Sequence, residues 1–131
     1  MIALDTNILV RLLTRDNQTQ AETARLFFQR HADEEGGLFV SDVVMAELAW
    51  TLDRAYGFEH NVIAEAFKAL ADNATLSFES REVLQAALAL FHDTKTGFPD
   101  CLIVAKAQAA GCKSLATFDK AMRSLPDVHL L

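Results

Sequence analysis

Cysteine, glycine, proline and long apolar runs are all scarce in this chain of 131 residues, and each shortage removes a class of protein. The two cysteines, Cys101 and Cys112, make no disulfide framework. With a helix between them they stand about 16 Å apart at the usual rise per residue, beyond bridging range. Five glycines and two prolines leave little material for a phosphate-cradling loop, and neither a dinucleotide fingerprint nor a Gly-x-Ser-x-Gly elbow is present. The four histidines, His31, His60, His92 and His129, show no paired spacing, and no Cys-x-x-Cys accompanies them, so a zinc site is not expected. No uninterrupted apolar run approaches the roughly 20 residues of a membrane span. The opening run Ile2-Ala3-Leu4 is interrupted at once by Asp5, unlike a signal peptide. The expectation is a cytoplasmic protein with no membrane partner.

Positive charge is also in short supply. A formal net charge of −6 argues against a broad basic surface that holds nucleic acid. Carboxylates that bind a divalent cation stop acting as negative charge once it is in place. The deficit therefore leaves open a metal-dependent enzyme with weak free-standing affinity for a nucleic acid, or one whose partner brings the positive charge.

What is present is apolar material for an ordinary core, 51% of the chain, and a length that suits one domain over residues 1–131. Short apolar strands alternate with longer helical patterns, the signature of a parallel sheet covered by helices. Strands are expected at Ile2–Leu4, Leu38–Val40, Thr75–Phe78, Ser114–Ala116 and Val128–Leu130. Helical spacing runs over Asn7–Leu13, then from a Thr19/Glu22 capping box to about Arg30, over Asp42–Tyr56 before Gly57, and over Asn61–Ala71. Ser80 caps a helix over Arg81–Phe91. Pro99 suits the first turn of a further helix that closes at Gly111, and Lys120–Leu125 forms a short last one.

Against that pattern, four acids keep apolar company. Asp5 ends the first strand, and Glu47 lies inside Val43-Val44-Met45-Ala46-Glu47-Leu48-Ala49-Trp50, a helix apolar nearly all round and so expected to be buried. Asp100 opens the apolar helix Cys101-Leu102-Ile103-Val104-Ala105, and Asp119 follows the fourth strand. Singly, Asp5 and Asp119 read as helix caps and Asp100 as a first-turn acid favoured by the helix dipole. Glu47, in mid-helix, has no capping role; its other ordinary uses are to face solvent through a gap or to pair with an arginine, and burying its charge is costly without a partner. Jointly, Asp5 and Asp119 lie beyond strand ends, where open α/β sheets bind ligands, and the helices of Glu47 and Asp100 start from the same edge. Repulsion opposes such a convergence unless a divalent cation relieves it. Oxygen donors without His or Cys point to Mg²⁺, or Mn²⁺ in its place.

The string Leu4-Asp5-Thr6-Asn7, the helical Glu47, the run Asp100-Cys101-Leu102-Ile103-Val104-Ala105 and the ending Leu115-Ala116-Thr117-Phe118-Asp119 resemble the PIN-domain ribonucleases, and within them the VapC-type toxins. The ordered set spans essentially the whole chain. The resemblance implies a three-layer α/β/α fold around a central, mainly parallel sheet of about five strands. It implies that Asp5, Glu47, Asp100 and Asp119 are the metal-binding, catalytic acids, with Thr6, Asn7 and Thr117 supporting them. It also implies an RNA substrate, a VapB-like antitoxin partner and a homodimer. Pro99 before Asp100 and the polar stretch His92–Thr96 depart from the family pattern beside the site.

Arg11, Arg15, Lys95, Lys120 and Arg123 are the cations available to grip RNA, although a solvated face is the commoner use of such residues. Leu26, Phe27, Phe28, Trp50 and Phe58 suit either interfaces or, for most of them, the core. Competing readings are a structure-specific DNA nuclease on the same scaffold and a non-catalytic binding domain. An aspartyl-phosphate phosphatase needs Asp-x-Asp at the first strand, where this chain has Asn7.

Overall fold

The computed structural model describes all of residues 1–131. In chain order the elements are β1 (Ile2–Ala3), α1 (Thr6–Leu13), α2 (Gln18–Arg30), β2 (Leu38–Val40), α3 (Asp42–Arg54), α4 (His60–Ala71), β3 (Leu76–Phe78), α5 (Arg81–Asp93), α6 (Phe98–Ala109), β4 (Leu115–Thr117), a 3-10 segment (Lys120–Ser124) and β5 (Val128–Leu130). No helix is long and apolar enough to cross a membrane.

Short polar side chains set the helix starts. Asp5 accepts from the Thr6 amide, Ser41 from Val44 and Ser80 from Val83. The second helix departs from expectation: Asn17, which accepts from the Gln20 amide, is the cap in place of Thr19. Asparagine outcompetes threonine at this position, and Glu22 instead pairs with Arg25. Gly57 and Gly111 adopt φ of 64° and 84° just past α3 and α6, a conformation open to glycine at no steric cost.

All strand pairs are parallel, as the alternation of strands and helices requires. Ile2, Leu38 and Leu76 lie side by side across β1, β2 and β3. The expected sheet of about five strands is divided: β1-β2-β3 form one sheet, and β4-β5 form another. Each strand has only two or three residues, and β1 stops at Ala3, so it offers few backbone groups for a ladder on its outer edge. Ala116 and His129 on the small sheet are exposed.

Helix packing supplies the core. α3 packs against α1, α4 and α6, and α5 packs against α4 and α6. Leu38, Val40 and Leu76 of the larger sheet meet Met45, Leu48 and Leu52 of α3 in one buried cluster. Phe98 stands edge-on to Phe67 at 4.9 Å and to Phe91 at 5.7 Å, locking the start of α6 to α4 and α5. That anchored start carries Asp100.

Candidate active site

Asp5 is fixed by the turn into α1, where its Oδ1 accepts from the Thr6 amide at 2.7 Å. The Thr6 hydroxyl, buried beneath it, donates to Glu47 Oε2 at 2.9 Å. One threonine thus holds two carboxylates 42 positions apart in sequence, through its backbone and its side chain. Each carboxylate keeps a second oxygen that no protein donor claims. Glu47 is exposed, contrary to the expectation of burial, as are Val43 and Trp50 on the same helix. α3 is apolar nearly all round in sequence, yet it buries Met45, Leu48, Ala49 and Leu52 and leaves the remaining face open.

Asp100 occupies the first turn of α6 and is half-buried. Burial first, and then the charge of Asp119, push its carboxyl above the ordinary value. Asp119 follows β4 and caps the 3-10 segment, accepting from the Ala121 amide at 2.9 Å. Its own amide donates to the Thr117 hydroxyl at 3.0 Å, so Thr117 sets the path of the chain at Asp119. Asn7 is exposed beside Asp5 and lines a cavity with it.

The candidate acids therefore fall into two pairs, Asp5 with Glu47 through Thr6, and Asp100 with Asp119 through their charges. No three acidic, His or Cys side chains gather as a ready-made metal group. β1 and β4 belong to different sheets, so no strand pairing joins the two strand ends that Asp5 and Asp119 follow. α3, the carrier of Glu47, nonetheless packs against both α1, which Asp5 caps, and α6, which carries Asp100 in its first turn. In donor chemistry the pairs suit a hard divalent cation: every atom offered is oxygen, and the Asp100–Asp119 repulsion is what such an ion relieves.

Of the cations considered from sequence, Arg11 is committed to Gln20, Asp16 and Tyr56. Lys95 enters no salt bridge and borders a cavity of about 510 Å³ shared with Asp100, Trp50 and Arg54. Sequence reasoning missed the buried Asp42 of α3, which binds Lys106 of α6 and whose amide donates to Glu79. From the sequence Asp42 served only to mark a helix start. Its partner lies 64 positions away, at a separation with no local signal. Cys101 is buried, and that burial lifts its thiol to about 11, which leaves it a packing residue and not a nucleophile.

The model of the PIN domain family matches residues 2–128, and this chain belongs to that family. The chain is similar to a VapC ribonuclease of Aquifex aeolicus (strain VF5), with 27% identity over 125 residues that make up 95% of this chain and 92% of that protein. Among solved structures it is similar to a chain of a toxin-antitoxin complex from Klebsiella pneumoniae, at 20% identity and a TM-score of 0.38, over 98% of this chain and 96% of that one.

Proposed function

We propose that this protein is a Mg²⁺-dependent endoribonuclease, hydrolysing RNA phosphodiester bonds, and the toxin of a type II toxin–antitoxin pair. The observation that carries the reading is the pair of like-charged carboxylates, Asp100 and Asp119, in a chain of the PIN domain family. A half-buried acid held close to another acid gains nothing for folding, and it suits a site that awaits a cation.

Asp5, Glu47, Asp100 and Asp119 would hold Mg²⁺, or Mn²⁺ in its place. A divalent cation supplies an activated water near neutral pH and neutralises charge on the phosphate. Thr6 keeps Asp5 and Glu47 in register, and Thr117 keeps the turn at Asp119 in shape. Attack by water in place of the ribose 2′-hydroxyl leaves 5′-phosphate and 3′-hydroxyl ends.

The likeness to a VapC ribonuclease supports a VapB-like antitoxin as partner, and a homodimer as the working form belongs to the same proposal. With a net charge of −6, the chain suits a partner that places an arginine among the carboxylates.

End-group analysis of cleaved RNA tests the chemistry, with 5′-phosphate products expected and 2′,3′-cyclic phosphate contradicting it. Preferential cutting of single-stranded DNA over RNA of the same sequence would favour the DNA nuclease. Cleavage of neither, with the antitoxin still bound, would favour a binding domain.

A further inference from the structure

We propose that the cavity beside Asp100 is a nucleotide subsite in which Trp50 stacks a base of single-stranded RNA while Arg54 and Lys95 hold the flanking phosphates. The inference rests on the ribonuclease reading above and extends it to how substrate is gripped.

The cavity measures about 510 Å³, within the range of roughly 300–1,000 Å³ for small-molecule sites. Its floor is rigid: Ile63, Phe91 and Phe98 line it and are all buried. Its rim carries Trp50, 61% exposed, although a large indole is otherwise the most valuable apolar surface a core can take. Trp50 lies three residues after Glu47 and four before Arg54 on α3, so the three share one face of the helix. A base stacked on Trp50 is therefore held between the candidate acids Glu47 and Asp100 and a cation at the far end of the same helix.

Charge separates this occupant from a protein partner. Protein interface cores are depleted in charged residues, whereas this indole stands among Asp53, Arg54 and Lys95. Arg54 touches only its neighbour Asp53, at 3.7 Å with both side chains largely exposed, and Lys95 has no acidic partner. Two uncommitted cations beside an exposed aromatic ring are the combination that binds single strands without base-pair readout. In a chain of net charge −6, they place positive charge beside Asp100.

Trp50 is the single tryptophan of the chain, so its intrinsic fluorescence reports on this cavity alone. The experiment titrates a short single-stranded oligouridylate, in Mg²⁺, into the Asp5→Asn protein, whose substitution lies outside the cavity. Cleavage kinetics are measured in parallel on the wild type, Trp50→Ala, Trp50→Phe and Arg54→Gln/Lys95→Gln. The expected result is saturable quenching of Trp50. Trp50→Ala should raise KM about 5- to 150-fold, the span of one base–aromatic stack removed, with Trp50→Phe recovering most of it and Tm unchanged. Neutralising both cations should flatten the salt dependence of binding by about 0.7 for each phosphate that no longer meets a cation.

Cleavage with unquenched fluorescence and an unaltered KM in Trp50→Ala would overturn the subsite and leave the ribonuclease reading intact. No cleavage and no binding of RNA by any form would overturn both. A Trp50 fluorescence change that follows wild-type protein concentration without RNA, with a dimer that is lost in Trp50→Ala, would assign the face to a second copy and overturn the subsite.

Discussion

Thr6 shows how much a single residue organises here. Its amide and hydroxyl together fix Asp5 and Glu47, and the residue is buried. Thr6→Val keeps the shape and removes the hydroxyl. Because Glu47 is exposed, water replaces much of the missing bond, and the expected cost is about 1 kcal/mol by denaturant unfolding. RNA cleavage should fall far more than stability, and Thr6→Ser should restore it. Equal losses of both would reduce Thr6 to a packing residue. Asp100 makes the opposite case. Its carboxyl holds its proton more tightly when folded, so ionisation opposes folding. Stability from this group is greatest below its ordinary value of 3.8 and declines as pH rises through the higher folded value. In EDTA, Asp100→Asn should match or exceed the wild type in Tm at neutral pH, and lose that advantage in acid. A less stable variant at neutral pH would mean that the helix dipole outweighs burial and the charge of Asp119.

At the scale of elements, α3 and α6 are the junction on which the site depends. The pair of buried Asp42 with half-exposed Lys106 ties them together. The hydrogen bond and charge of Asp42 raise the pKa of Lys106 above 10.5. Its contribution is complete below that value and is lost as pH rises through the folded value. Alkaline titration should therefore loosen the wild type but not Lys106→Met, whose unfolding should be flatter over that range. Deeper down, Phe98→Ala removes the ring that Phe67 and Phe91 grip, at an expected cost of about 3–5 kcal/mol in urea denaturation. A loss below about 1 kcal/mol would mean that the start of α6 is not anchored there.

Most of these elements were legible from local signals. Ser80, Asp5 and Gly57 mark helix ends because capping and left-handed turns act within a few residues. Leu38–Val40 and Val128–Leu130 read directly as apolar runs between turns. The division into two sheets was not legible, since β1 and β4 do not encode in sequence whether they pair. The exposure of Glu47 and Trp50 was hidden for a related reason. Apolar composition gave α3 no polar face, and only the partners α1, α4 and α6 decide which side is covered. The four acids stood out because each sits against its surroundings, but their grouping as two pairs depends on tertiary placement.

For the whole molecule, the acidic balance and the proposed cation are linked. At a net charge of −6, with the Asp100–Asp119 pair left unrelieved, the fold carries electrostatic stress that the proposed Mg²⁺ or Mn²⁺ would remove. A ligand that binds only the folded state at about 100 times its Kd adds about 2.7 kcal/mol. The most direct test of the metal-dependent ribonuclease is thermal unfolding with and without Mg²⁺ or Mn²⁺, on the wild type and Asp5→Asn, with RNA cleavage assayed on the same samples. Asparagine caps a helix as well as aspartate does, so the substitution removes the charge and spares the turn into α1. The predicted result is a metal-dependent rise in Tm and metal-dependent cleavage in the wild type. Both should be lost in Asp5→Asn, whose metal-free Tm should stay near that of the wild type. No response of the wild type to either metal, and no cleavage, would contradict the account and leave Asp5 a helix cap in a binding domain.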